Sequence, residues 1–164
     1  MDQEQSQFER KRLIEEYGLL FEMEGAPRMV GRIIGYLMLS PSALVSSAEL
    51  TEALQVTKGA ISTTSRLLIQ MELIERVNVI GDRRDYFRLK QRPWSHSFKR
   101  ELHLYSAYRR IAEQGLQLME DCTPDRKEAL QEMYELYTFF ENEFPALISR
   151  WEATWTKQRN SKKR

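Results

Sequence analysis

Residues 46–89 read SSAELTEALQVTKGAISTTSRLLIQMELIERVNVIGDRRDYFRL, and the order of patterns in this stretch decides the fold. Ser46 and Glu49 have the spacing of a capping box, which predicts that a short helix starts here. After a brief turn, Thr57 can cap a second helix that continues to about Met71. The stretch therefore begins with two short helices separated by a tight turn.

A β-hairpin is predicted directly after these helices. Residues 74–80 are rich in β-branched side chains, Gly81-Asp82 offers turn chemistry, and residues 86–89 resume in extended form. The resulting order of helix, turn, helix and hairpin is that of a winged helix-turn-helix.

Helices are also predicted before this stretch. Apolar residues have helical spacing over about residues 5–24, and Pro27 is a suitable start for a further helix over residues 28–39. Gly31 and Gly35 lie one turn apart on the latter helix. Since glycine is unfavourable in a lone helix, this pair indicates a place where another helix approaches closely.

The C-terminal part is predicted to be helical as well. Apolar residues fall close to a heptad over residues 96–120, and the alternation continues from Pro124. Pro145 is expected to kink or break the last helix, which would then end at Asn142 or Glu143. Such an apolar stripe is most often ordinary core, but these helices have few core neighbours, and self-association would also cover them.

We therefore predict a mostly α fold with a small β-hairpin, a winged helix-turn-helix joined to a helical dimerisation region. The predicted divisions are an N-terminal dimerisation helix over residues 1–27, a DNA-binding domain over 28–92, a helical dimerisation region over 93–157 and a basic tail over 158–164.

Composition excludes several classes of function. With 41% hydrophobic and 30% charged residues, the chain is typical of a folded water-soluble protein, and no stretch approaches the roughly 20 apolar residues of a membrane span. The single cysteine, Cys122, cannot form an internal disulfide, which favours the cytoplasm. No phosphate loop, nucleophile elbow or carboxylate pair indicates an enzyme or a cofactor. His96 and His103 are too sparse for a metal site.

Charge is distributed unevenly along the chain. The total is +1, but residues 1–24 carry −4, residues 25–92 carry +4, residues 93–154 carry −4 and residues 155–164 carry +5. A basic module between acidic flanks is expected of a protein that binds a polyanion. Lopsided solvated faces are common, however, so this pattern alone is weak.

The second helix of the stretch has the surface expected of a DNA-reading helix. Its outer side is small, polar or basic at Thr57, Lys58, Ser62, Thr63 and Arg66. Arg66 is the candidate for a bidentate contact to guanine, worth ~1–3 kcal/mol of discrimination, and Thr57 with the helix N-terminus is available to a phosphate. The alternative is a merely solvated helix face.

The hairpin tip carries Arg83 and Arg84 between Asp82 and Asp85. A narrow minor groove attracts arginine because its negative potential is enhanced, and a neighbouring acid can hold a guanidinium in its fork geometry. We expect one arginine to contact DNA and the other to be paired or to touch a phosphate. The alternative is a charged, exposed turn.

The segments GAPRMVGRIIGYLML, SSAELTEALQVTKGAISTTSRLLIQMELIERV and GDRRDYFRL resemble the MarR superfamily of bacterial regulators, and within it the GbsR-like branch. The resemblance covers about residues 10–92. It implies a homodimer, most simply a repressor, that binds a palindromic operator in double-stranded DNA through one recognition helix and one wing per subunit. It also implies that a small molecule modulates binding.

The resemblance has one departure and one extension. The family commonly has glycine just after the recognition helix, whereas this chain has Glu72, so either about 1 kcal/mol of backbone strain is tolerated or the helix ends differently. GbsR-like regulators are associated with choline and betaine genes. The aromatic residues of the C-terminal part are expected mostly in the core or the dimer interface. The alternative, by this analogy, is an aromatic pocket for a quaternary ammonium effector at Trp94, Tyr105, Tyr108 and Tyr137.

A second class of function remains open at this point. The chain could be a winged-helix module that binds another protein and has lost DNA binding. An RNA-binding function is weaker, because no exposed aromatic pair on strands offers a stacking platform.

Overall fold

The computed structural model describes residues 3–161. The chain divides into two compact units, and the boundary along the sequence falls between Pro93 and Trp94. The predicted tail therefore lies partly outside the described residues, from 162 onward. The helices and strands of the first unit are α1 Gln3–Met23, α2 Arg28–Leu39, β1 Val45–Ser46, α3 Ser47–Leu54, α4 Lys58–Gln70, β2 Ile74–Val77 and β3 Tyr86–Leu89.

The first unit is a winged helix-turn-helix, as predicted, with one strand more than expected. The three strands form an antiparallel sheet in the order β1-β3-β2, with Phe87 of β3 opposite both Val45 and Arg76. The two-residue strand β1 is too short to show an alternating pattern in the sequence. It ties the start of α3 to the hairpin, so the wing is braced against the helix-turn-helix.

Both predicted N-caps are present. The Ser46 hydroxyl accepts a hydrogen bond from the Glu49 amide at 3.1 Å, and the Thr57 hydroxyl accepts one from the Ala60 amide at 3.2 Å. Each cap satisfies an amide that the first helical turn leaves without a partner. The start of α4, and hence the direction of its outer face, is thus set by residues adjacent in sequence.

Glu72 adopts the left-handed conformation that glycine would favour, with φ of 59°. Its amide donates to the Ile69 carbonyl at 3.0 Å, and the Leu73 amide donates to the Leu68 carbonyl at 3.1 Å. Leu68 and Leu73 are both buried, which is the apolar contact that usually accompanies this helix ending. The helix therefore ends as it would with glycine, and the backbone strain at Glu72 is tolerated.

α1 and α2 cross at glycines. A Cβ atom added to Gly31 would lie 2.1 Å from the backbone oxygen of Tyr17, and one added to Gly35 would lie 2.9 Å from the Tyr17 ring. The predicted close approach of another helix to this glycine pair is therefore confirmed, and the approaching helix is α1. Ile14 and Phe21 of α1 are buried in the same core as the helix-turn-helix.

The second unit consists of two long helices, α5 Pro93–Leu118 and α6 Pro124–Ser161. The prediction that α6 ends at Asn142 or Glu143 is wrong, because the helix continues through Pro145. Proline removes only one helical hydrogen bond, and aromatic packing supports α6 on the N-terminal side. The Tyr105 ring of α5 lies 5.4 Å from Phe140 and 5.8 Å from Phe144. α6 also includes residues 158–161, which were predicted to belong to the tail.

Candidate nucleic-acid interface

The outer face of α4 is free of intramolecular packing. Thr57, Lys58, Ser62, Thr63 and Arg66 are all exposed, whereas Ile61, Thr64, Ser65 and Leu68 are buried on the opposite side. The Arg66 guanidinium donates a long hydrogen bond of 3.4 Å to the Ser62 carbonyl of the same helix. Because the exposed side chains of Thr57, Ser62 and Thr63 are small and polar, α4 can fit along a groove in a binding partner.

A concave cleft separates α4 from the sheet. Its volume is about 480 Å³, and its cationic lining comes from both elements, with Lys58 and Arg66 on α4 and Arg76 and Arg84 on the hairpin. Two of the sequence-predicted basic residues of α4 therefore share one surface with one arginine of the wing. Sequence reasoning did not predict Arg76 as a residue of this surface. Its position beside the hairpin, in a basic segment, could have indicated it.

The wing arginines differ in their surroundings. The Asp82 carboxylate accepts hydrogen bonds from Nε and NH2 of Arg84, at 2.9 and 2.5 Å, and from the Arg84 amide at 2.9 Å. The Tyr86 hydroxyl donates to the same carboxylate at 2.7 Å, and the Arg84 guanidinium lies 5.6 Å from the centre of the Tyr86 ring. Arg83 is exposed and, among the described residues, has no recorded ion pair.

These contacts change the acidity of the groups involved. The Arg84 guanidinium, the Arg84 amide and the Tyr86 hydroxyl together hold the pKa of the Asp82 carboxyl well below its usual range. The hydrogen bond to Asp82 raises the pKa of Tyr86. The same contacts direct the Arg84 guanidinium towards Asp82.

The second acid of the tip has another role. Asp85 forms an ion pair with Arg76 of β2, and its carbonyl accepts a hydrogen bond from the Ser47 amide at 2.8 Å. Asp82 thus orients an arginine of the tip, whereas Asp85 connects the wing to β2 and to the start of α3.

Comparison with known proteins identifies the family. The chain is 35% identical over 138 residues to the HTH-type transcriptional regulator MmpR5 of Mycobacterium tuberculosis, and the match covers 84% of each protein. The chain belongs to the MarR family. A model of the MarR family matches residues 24–85, and a model of MmpR5-like MarR family transcriptional regulators matches residues 92–154.

A solved structure supports the same assignment. The crystal structure of a transcriptional regulator that is 33% identical to this MarR family protein superposes with a TM-score of 0.77, covering 88% of this chain and 99% of the other. The protein is therefore a DNA-binding transcriptional regulator with the winged helix-turn-helix as its DNA-binding element. The likeness extends through the helical C-terminal unit, which sequence patterns alone described only as helical.

In the second unit of this MarR family protein, three of the four aromatic residues predicted to form an effector pocket lie against one another. The Tyr137 ring lies 5.6 Å from Tyr105 and stacks on Tyr108 at 4.8 Å. A cation held within about 6 Å of both ring faces needs a gap that such a stack does not leave. Trp94 lines a cavity that these three tyrosines do not line.

That cavity is almost entirely apolar. It has a volume of about 400 Å³ and is lined by Trp94, Ser95, Phe98, Phe144, Leu147, Ile148 and Trp151. The Ser95 hydroxyl is buried and has no hydrogen-bond partner. A buried hydroxyl without a hydrogen-bond partner is unfavourable, and Ser95 is one of the residues that line this apolar site.

Among residues 3–161, no group of three or more histidine, cysteine, aspartate and glutamate side chains could hold a metal ion. Over the same residues, no helix is long and apolar enough to cross a membrane.

Proposed function

We propose that this MarR family regulator binds a palindromic operator as a homodimer and represses the adjacent genes. Each subunit places α4 in the major groove and its wing in the adjacent minor groove. The observation that supports this arrangement best is the cleft in which Lys58 and Arg66 of α4 face Arg84 of the wing. A cytoplasmic location follows from access to DNA and suits the free Cys122.

The contacts of α4 divide by chemistry. Arg66 reads a guanine through two hydrogen bonds, and Ser62 and Thr63 are small enough to let the helix enter the groove. Lys58 and the capped N-terminus of α4 at Thr57 hold phosphates, since the first helical turn carries positive partial charge. Their common exposure on one face of α4 supports these roles.

The wing contacts follow from the difference between its arginines. Asp82 holds Arg84 in a fixed orientation, so less side-chain entropy is lost when its remaining edge enters the minor groove. Arg83 is exposed and touches a phosphate, for which a mobile point of charge is sufficient. Asp82 is thereby a positioning residue for Arg84.

Dimerisation is supported by large apolar side chains that α1 and α6 leave exposed. Leu19, Leu20 and Met23 are exposed on α1, and Leu147, Trp151 and Trp155 are exposed on α6. A second copy of the chain would cover these residues. Analytical ultracentrifugation is expected to give twice the mass of the chain, and a monomer at micromolar concentration would contradict this.

Salt titration separates DNA binding from the alternative of a protein-interaction module. The affinity for an operator duplex should fall steeply as salt rises, with a slope of about −0.9 for each phosphate neutralised. The Arg66→Ala variant should weaken operator binding at all salt concentrations. No duplex binding at low salt would favour the protein-interaction module.

We further propose that a small effector binds in the cavity lined by Trp94 and Trp151. An apolar lining with one available hydroxyl at Ser95 suits an uncharged, largely apolar molecule that carries a single hydrogen-bonding group. The GbsR-like assignment and a quaternary ammonium effector stay predictions, and the ring stack at Tyr137 argues against the predicted cage.

Two probes distinguish these ligand classes. Benzyl alcohol should change tryptophan fluorescence and weaken operator binding, and Ser95→Ala should reduce its affinity. Choline should do neither at the same concentration. A response to choline alone would restore the original expectation.

A further inference from the structure

The tip of the wing is a tight turn with an apolar residue at its outermost point. The Asp82 amide donates a hydrogen bond to the Val79 carbonyl at 3.1 Å, which places Ile80 and Gly81 at the centre of the turn. Gly81 supplies the positive φ of 84° that this turn requires. Ile80 is fully exposed to solvent.

The exposure of Ile80 has no explanation within the fold. Within residues 28–92, Met38 of α2 is the other large apolar side chain that is exposed, and it is only 40% exposed, whereas Ile80 is fully exposed. β-Branched residues favour strands, and turn positions are usually occupied by polar or small residues. Single exposed apolar residues are common, so position must decide whether this one has a role.

The position of Ile80 points to a partner. It precedes Arg83 and Arg84 at the tip of the hairpin, which is the part of the wing farthest from the β1–β3 pairing. A wing that brings Arg84 to a minor groove brings Ile80 to the groove as well. The minor groove has walls of deoxyribose C–H groups, against which an aliphatic side chain can pack.

We propose that Ile80 is a specificity-determining residue that packs in the minor groove and disfavours G·C pairs beneath the wing tip. A·T pairs present only acceptors on the groove floor, whereas guanine adds an amino donor. An aliphatic side chain above that amino group would remove its water without replacing the hydrogen bond, which is unfavourable. This inference rests on the proposed minor-groove contact of the wing.

Sequence selection from random duplex DNA tests the preference directly. The wild-type protein should select A·T pairs at the positions that flank the half-site read by α4. With Ile80→Ser this enrichment should fall by roughly tenfold per position, the loss expected for one unsatisfied hydrogen-bonding group. Met38→Ser is the matched control, because it also replaces an exposed apolar residue of the same unit, and it should keep the wild-type preference.

Salt dependence distinguishes an apolar contact from an ionic one. Ile80→Ala should weaken operator binding about fivefold with an unchanged salt slope, since no phosphate contact is lost. Arg83→Ala should reduce the slope by about one. Ile80→Leu should retain affinity, and the melting temperature of each Ile80 variant should match that of the wild type.

Unchanged base preference in Ile80→Ser, with wild-type affinity in Ile80→Ala, would overturn the inference and leave the proposed function intact. An altered salt slope in Ile80→Ala would also overturn it, because the contact would then act through charge. Absence of duplex binding by the wild-type protein would overturn both the inference and the proposed function.

Discussion

Replacing Gly31 by alanine tests how much the close crossing of α1 and α2 stabilises the first unit. The new Cβ atom would lie 2.1 Å from the backbone oxygen of Tyr17 and 2.8 Å from the Cα atom of Gly18, whereas ordinary contact begins at 3.4 Å. Backbone atoms of a helix cannot move individually. The two helices would therefore have to separate by about 1.3 Å, which is the difference between 3.4 Å and the 2.1 Å of the nearest contact.

The magnitude follows from what this separation does to the core. Ile14 and Phe21 of α1 pack against α2, and a gap of 0.5–1 Å already removes about a quarter to a half of each dispersion contact. Overpacking of this kind costs about 1–3 kcal/mol or more, while alanine itself favours the helix by roughly 0.5–1 kcal/mol. We expect a net loss of about 1–2 kcal/mol, which lowers the melting temperature by roughly 2–8 °C.

Thermal unfolding followed by circular dichroism measures this effect, with Gly59→Ala as the matched control. A Cβ atom at Gly59 would meet only the Thr57 hydroxyl at 3.8 Å, so this variant should be as stable as the wild type or slightly more stable. If Gly31→Ala melted within about 1 °C of Gly59→Ala, the close crossing would not be a determinant of stability and the reasoning would be refuted.

Three further predictions follow from single side chains. Asp82→Ala should weaken operator binding in gel-shift titrations but have no additional effect in an Arg84→Ala background, and additive losses would exclude positioning through Arg84. Glu72→Gly should raise the free energy of unfolding in urea by up to about 1 kcal/mol, because glycine relieves the strain of φ 59°, and a lower midpoint would contradict this. Burial and the hydrogen bond to Glu49 raise the pKa of Tyr36 to about 12, so its stabilising contribution is complete below the unfolded pKa near 10 and is lost as the pH rises towards 12. The free energy of unfolding of the wild type, measured in urea relative to Tyr36→Phe, should accordingly fall between pH 10 and pH 12, and a constant difference would refute this account.

Much of the first unit could be predicted because its signals are local. An N-cap requires only residues within three positions of each other, and Ser46 and Thr57 each form the predicted cap. The alternation of exposed and buried residues on α4 repeats with the helical period, so the exposed positions Lys58, Ser62 and Arg66 could be selected from spacing.

The errors arose where distant residues decide the outcome. Pro145 has an unfavourable local preference, which packing between α5 and α6 overrides. The aromatic residues of the second unit share one periodic stripe, but the sequence does not say which rings stack. Only the structure shows that Tyr108 stacks on Tyr137.

The sequence by itself determined the order of the helices and the wing hairpin, the exposed face of α4 and the presence of an arginine pair at the wing tip. Only the tertiary structure decided which acid serves which arginine. Asp82 binds Arg84, whereas Asp85 binds Arg76 across the hairpin. Caps and periodicity depend on covalent neighbours within a turn or two, but ion pairing depends on the strand register and the turn geometry that bring side chains together in space.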